Sequence, residues 1–295
     1  MRNDHVFIMA PPRSGTRMLT RALGRSSDTY LITEHKRKSI YVPEEQNQIP
    51  DRKFWVEAFG LPHMPLEEVE FDAKAFMHLN ELWSAGAGDK RLVIKNPNNI
   101  VRAKEIRRAF PDAQFVWLLR NPWAVIQSMM GGDEAGRKNA MFLGASDVLK
   151  HVDPVLRAAA SWSFSVQMMN EVLQPADITT RYEHLVTQPQ AEIDRITRHL
   201  SLKLDDNASE VPERRKDDFR LARYLLRRSP VRDRILQVIA PFARQLDYPS
   251  IPPGFPGDDR LLAASYFLTW LKRPNRVPVY GYPTLQRVSR IVRGK

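Results

Sequence analysis

The 295-residue sequence predicts a three-layer α/β fold, with a central, mostly parallel sheet of about five strands and a phosphate-binding turn after the first strand. Three observations predict it. Five short apolar or β-branched runs occur, at 5–10 (HVFIMA), 29–33 (TYLIT), 91–95 (RLVIK), 114–119 (QFVWLL) and 177–182 (DITTRY). Several lack polar alternation, which suits strands buried on both faces of a parallel sheet. Helical patterns lie between these runs, and strand–helix alternation means right-handed βαβ units. Finally, the first run turns straight into a helix through a short segment bearing Ser14 and Gly15.

The elements follow in order. A helix over 16–24 succeeds the first strand, and one over 65–85 precedes the third. Residues 100–110 carry Ile100, Ala103, Ile106 and Phe110 at helical spacing. Stretches 154–173 and 189–200 behave likewise, the second opening with Pro189 in a suitable first turn. Residues 131–144 hold four of the 13 glycines and read as a loop, while 203–218 is polar and densely charged. From Pro249 the composition shifts to a turn-rich linker, PSIPPGFPGDD, and then a basic tail. The expected division is therefore a domain over 1–248 and a linker with tail over 249–295.

Composition bounds the function. Hydrophobic residues make up 43% and charged residues 27%, an ordinary soluble balance. Cysteine is absent, which excludes disulfides, thiolate-held metals and a cysteine nucleophile. The apolar run Val6–Ala10 stops at Pro11 and is shorter than the roughly 7–15 residues of a secretory core. Leu261–Leu271 is about half of what spans a bilayer as a helix. A soluble, cytoplasmic protein is expected.

Net charge is +11, which points to an anionic partner: nucleotide, nucleic acid, anionic substrate or lipid surface. Eight basic residues and no acidic one fall between Arg260 and Lys295, leaving +3 for the first 259 residues. The domain is nearly balanced, so no nucleic-acid partner is expected. In the tail, SYFLTWL followed by Lys272, Arg273 and Arg276 pairs aromatics with cations. An interfacial helix making peripheral membrane contact has that pattern, as does a helix packed on the domain.

The turn after the first strand reads Ala10-Pro11-Pro12-Arg13-Ser14-Gly15-Thr16-Arg17. A strand turning tightly into a helix exposes backbone N–H groups and the positive end of the helix dipole, which cradle phosphate. Gly15 permits close approach, Ser14 and Thr16 offer hydroxyls, and Arg13 and Arg17 add charge. The turn is P-loop-like but departs from G-x-x-x-x-G-K-[ST]. Ala10 replaces the first glycine, Thr16 the lysine and Arg17 the magnesium-holding hydroxyl. An anion site without magnesium–ATP is expected, and no metal. Arg120 and Ser128 fit either a second anion ligand set or a structural ion pair with a solvated helix serine. Arg120 follows an apolar strand and emerges at the carboxyl edge of the sheet, where ligands bind. Pro122 starts the next helix, with Ser128 in its second turn.

These residues resemble a known family. Pro12-Arg13-Ser14-Gly15-Thr16 resembles the 5′-phosphosulfate loop of the sulfotransferases that use 3′-phosphoadenosine 5′-phosphosulfate (PAPS). The run VIKNPNNIVRAKEIRRAFPDAQFVWLLRNPWAVIQSMM resembles that family's 3′-phosphate signature, and RYEHLVTQPQAEIDRITRHLSL its Arg-Tyr-Glu-Asp-Leu stretch. ILQVIAPFARQLDYP resembles the closing helix of the bacterial branch. The resemblance implies PAPS as co-substrate, PAP as product, and transfer of a sulfuryl group to a hydroxyl of a sugar, lipid or secondary metabolite. It places Arg13 on the phosphosulfate, Arg120 and Ser128 on the 3′-phosphate, Tyr182 against the nucleotide, and Lys95 beside the reacting group.

The general base is open between two neighbours. One branch of the family has a histidine two residues after that lysine, but here Pro97 stands there. Another branch places a glutamate just after the second strand, where Glu34 falls; His35 is the second candidate. Arg17 also departs from the family, which usually has a hydroxyl residue after Gly-Thr. The segments 36–65, 131–144 and 203–218 look least like the family and are expected to shape the acceptor site. A nucleotide or small-molecule kinase of related architecture is the alternative, disfavoured by the missing Gly-Lys-Ser/Thr.

Overall fold

The computed structural model describes residues 4–33, 73–130, 143, 145–203 and 219–254. Five parallel strands form one sheet: β1 (Val6–Met9), β2 (Thr29–Thr33), β3 (Arg91–Lys95), β4 (Gln114–Leu119) and β5 (Ile178–Arg181), in the order β2-β3-β1-β4-β5. Register is continuous across the centre, with Ile8 opposite Lys95 on one side and Val116 on the other. The edges pair Thr33 with Lys95 and Leu119 with Arg181. The three-layer parallel fold is as the apolar runs predict.

Both faces of the sheet are covered, which is why the strands are apolar without alternation. Phe7, Met9, Ile94, Phe115 and Trp117 point to one layer. That layer is built by α2 (Ala73–Ala87), α3 (Ala103–Ala109), α4 (Pro122–Met130), α6 (Pro154–Val172), α9 (Arg220–Arg228) and α10 (Arg232–Gln245). A short helix, α5 (Ser146–Leu149), packs on α6. Val6, Ile8, Val93, Val116 and Leu118 point the other way. They meet α1 (Thr16–Leu23), α7 (Tyr182–Thr187) and α8 (Pro189–His199). Each fully buried leucine or isoleucine contributes roughly 1.5–3 kcal/mol.

Local departures from expectation have local causes. The helix expected over 100–110 divides into a 3₁₀ turn, Pro97–Ile100, and α3. Asn96 accepts from the Asn98 N–H at 2.9 Å and Pro97 presets the first turn, so the chain starts to coil earlier. Strand β5 is shorter than 177–182 at both ends. The Asp177 carboxylate is spent on Arg107 and on the N–H groups of Phe115 and Gln174, which ties the strand's entrance. At the exit Tyr182 opens α7 instead of ending the strand. Arg91, 3% exposed, pins the opposite end of the sheet by donating to the carbonyls of Asp4 and Leu200 and to Gln114.

No helix among the described residues is long and apolar enough to cross a membrane. The connections set the site. Chain leaving β1 enters α1 on one face, whereas chain leaving the adjacent β4 enters α4 on the other. Adjacent strands whose connections part in this way open a crevice at their carboxyl ends. The phosphate-like turn and Arg120 both border it.

Candidate active site at the carboxyl end of the sheet

The turn between β1 and α1 is tight because two residues adopt left-handed backbone. Arg13 has φ 71° and Gly15 has φ 94°. Glycine is required at 15 for a second reason: a Cβ there would stand 2.7 Å from Tyr182 Cε2. Tyr182 thus lies flat against the turn. Ser14 N–H bonds the Pro11 carbonyl at 3.3 Å, and α1 opens with neither a side-chain cap nor an acidic residue in its first turn. An uncapped helix start is a natural anion seat.

Ser14 supplies an independent sign. Its side chain is 0% exposed and its Oγ has no hydrogen-bond partner among the described residues. A buried hydroxyl left unsatisfied costs about 1–3 kcal/mol, which a ligand oxygen would relieve. Thr16 is also buried, while Arg13 and Arg17 are exposed.

Arg120 and Ser128 converge on the same turn. Arg120, the residue after β4, is 9% exposed, and its Nη1 donates to the Arg13 carbonyl at 2.7 Å. Its guanidinium carbon lies 4.1 Å from the centre of the Tyr182 ring. Arg13 Nε donates to Ser128 Oγ at 3.1 Å. Arg13 is therefore the link between Arg120 and Ser128, which sequence spacing alone pairs directly. Lys95 ends β3 and is 4% exposed, so it is a buried strand-end lysine and not a solvated one. Glu34 and His35 follow the last residue of β2 and lie outside the described residues, as do 36–65, 131–142 and 204–218.

Four further residues support this arrangement. Trp162 Nε1 donates to the Arg120 carbonyl at 2.8 Å, and Asn121 Oδ1 caps α4 by accepting from Trp123 N–H at 2.9 Å. Glu183 accepts from the Asn121 N–H at 2.8 Å and from Tyr248 Oη at 3.0 Å. Glu183 is thus a double hydrogen-bond acceptor. Gln127, beside Ser128, accepts from the Ala222 N–H at 3.2 Å and draws α9 onto α4. Asn121, Gln127, Glu183 and Tyr248 lie in the stretches that carry the family resemblance, whereas Trp162 lies in none of them.

Comparison with known proteins decides the family. The sulfotransferase family model matches residues 5–206, more than half of the chain. The chain belongs to the sulfotransferase family. A Caenorhabditis briggsae protein named as a protein-tyrosine sulfotransferase is 24% identical over 207 residues, covering 67% of this chain and 65% of that protein. An omega-hydroxy-beta-dihydromenaquinone-9 sulfotransferase of Mycobacterium tuberculosis is 25% identical over 122 residues, 38% of this chain and 29% of that one. The chain therefore spans less than two thirds of the curated relatives it matches. Among solved structures, the sulfotransferase domain of the curacin biosynthetic pathway superposes with a TM-score of 0.51 at 16% identity, covering 83% of this chain and 98% of that domain. The sulfotransferase fold is shared with it.

Proposed function

We propose that this chain transfers a sulfuryl group from PAPS to the hydroxyl of a small-molecule acceptor, releasing PAP. What supports the reading most directly is the unpartnered, buried Ser14 hydroxyl in the left-handed turn that opens α1. That cradle has an orphaned buried hydroxyl and an uncapped helix start, donors that suit the 5′ end of such a nucleotide, so the residues fit the group. PAPS supplies an activated sulfuryl group on a phosphate leaving oxygen. In this reading the Gly15–Arg17 amides and the Ser14 and Thr16 hydroxyls bind the 5′-phosphate end, with Arg13 and Arg17 adding charge. Arg120 and Ser128 bind the 3′-phosphate, and Tyr182 packs on the nucleotide. Lys95 neutralises negative charge at the departing oxygen, and Glu34 takes the acceptor hydroxyl's proton, with His35 as the other candidate.

The acceptor is a sugar, lipid or secondary metabolite in this proposal, held by segments 36–65, 131–144 and 203–218. The catalytic unit is placed at 1–248, and deletion of 255–295 is expected to leave PAP affinity within about twofold, below a resolvable free-energy difference. Loss of PAP binding on that deletion would move the boundary. The basic tail is the part proposed for contact with anionic membrane, tested by sedimentation with anionic vesicles with and without 255–295.

Calorimetry with PAP tests the whole reading. Arg120→Ala and Ser128→Ala should each raise the Kd roughly 10–100-fold, the worth of a charged hydrogen bond. Glu34→Ala should slow turnover with PAP affinity intact. Wild-type turnover by Glu34→Ala would sink the base assignment, and absence of PAP binding by the unmodified chain would sink the function. Transfer of labelled sulfate from PAPS into an extract of the source cells, followed by mass spectrometry, names the acceptor.

A further inference from the structure

We infer that Glu183 and Tyr248 are positioning residues that fix the Arg120–Asn121 corner, and through it the grip on the nucleotide's 3′-phosphate. The inference rests on the nucleotide reading above and adds residues that neither touch the nucleotide in that reading nor follow from it. The corner between β4 and α4 must do two things at once. It aims the Arg120 guanidinium, and it starts the helix that presents Ser128.

Two side chains hold its backbone, from two different elements. Trp162 of α6 donates to the Arg120 carbonyl at 2.8 Å, and Glu183 of α7 accepts from the Asn121 N–H at 2.8 Å. Tyr248, beyond the end of α10, holds both of those side chains. Its hydroxyl donates to the second Glu183 oxygen at 3.0 Å, and its ring meets Trp162 edge-on with centroids 6.4 Å apart. Arg181 locks the tyrosine in turn: its guanidinium carbon lies 4.8 Å from the Tyr248 ring centre, and its Nη2 donates to the Leu246 carbonyl at 2.7 Å. One tyrosine thus meets both side chains that hold the corner's backbone. Tyr248 is 8% exposed, so water does not compete for its hydroxyl.

The chemistry suits positioning more than bulk stability. A half-buried carboxylate held between an amide and a phenol packs no better than an apolar residue of its size, and partial desolvation works against its charge. What it adds is direction, because each oxygen accepts one bond along a fixed line. A shift of an ångström at the corner would carry Arg120 away from its ligand, and such displacements cost far more in function than in folding.

Two nucleotides that differ only at the 3′ position separate this role from a structural one. Tyr248→Phe removes the hydroxyl and keeps the ring. The expected result is a PAP Kd raised about tenfold, the worth of one hydrogen bond to a charged group, with the Kd for adenosine 5′-monophosphate unchanged. In an Arg120→Ala background the same substitution should change the PAP Kd by less than about twofold, because coupled residues are not additive. Glu183→Gln, which keeps an acceptor for Asn121 and a partner for Tyr248, should recover most of the PAP affinity that Glu183→Ala loses.

Equal weakening of PAP and adenosine 5′-monophosphate, or full additivity with Arg120→Ala, would overturn the inference. So would an unchanged PAP Kd in Tyr248→Phe. Failure of the unmodified chain to bind PAP would instead remove the function on which the inference stands, so the two failures are told apart by the parent protein.

Discussion

Ser14 separates what the folded chain needs from what its ligand needs. Its hydroxyl is fully buried and without a partner among the described residues, so in the ligand-free protein it is a burden. Removing an unsatisfied buried hydroxyl is neutral or stabilising, whereas removing a donor from a bound anion costs affinity. Ser14→Ala is therefore expected to leave the thermal midpoint of the free protein unchanged or slightly raised. The PAP Kd should rise about tenfold. Differential scanning calorimetry and titration calorimetry on one preparation check both halves. A substantially lowered midpoint with unchanged PAP affinity would show that the hydroxyl serves the fold. Gly15 is the opposite case, since its neighbour Tyr182 and its φ of 94° leave room for neither a side chain nor a relaxed backbone.

At the scale of elements, the entrance and exit of β5 do different jobs. At the entrance, the Asp177 side chain is 0% exposed and bonds Arg107 Nη2 through both oxygens, at 2.7 and 2.6 Å. It also accepts from Phe115 N–H at 2.8 Å and Gln174 N–H at 2.9 Å, so it joins β4, β5 and α3. Asp177→Ala leaves the Arg107 cation and two amides without that partner, at a cost of about 3–5 kcal/mol. A urea midpoint lowered accordingly is expected, with the PAP Kd of the folded fraction unchanged, because the ligand end is at the other end of the strand. A PAP Kd that worsens in step with stability would show that the two ends are coupled.

The same division governs what the sequence reveals. Strands were legible because a doubly covered parallel sheet demands unbroken apolar runs, as in VFIM and FVWLL. The Ser14–Gly15 turn, Arg120 and Ser128 could be singled out as candidates because they sit on short local segments, and the structure brings them together. The contacts of Trp162, Asn121 and Tyr248 were not legible, although the last two lie in stretches that resemble the family, because nothing beside them tells them from core or capping residues. Their meaning comes from contacts across long separations, such as Glu183 to Tyr248, which no spacing rule encodes. Tyr182 illustrates the boundary between the two cases. Its run read as strand, but the backbone turns to helix there and lays the ring beneath Arg120.

For the molecule as a whole, the C-terminal latch should write itself into alkaline stability. Burial, and next the Glu183 carboxylate beside it, push the Tyr248 phenol well above its ordinary value of 10.0. The phenol is charged only when deprotonated, so the folded state keeps its proton after the unfolded chain has lost it. Stability from this group is complete below the unfolded value and falls as pH rises from about 10 toward the higher folded value. The slope is about 1.4 kcal/mol per pH unit for one proton. The unmodified chain alone does not isolate the effect of one group. Comparison with Tyr248→Phe does, because every other group is common to both. At pH 8 the unmodified chain should be the more stable, by the hydrogen bond to Glu183. That advantage should shrink between pH 10 and pH 11.5 by about 2 kcal/mol, and urea midpoints across the range measure it directly. A constant gap would mean that Tyr248 ionises as freely in the folded protein as in the unfolded chain, and that the latch is open to solvent.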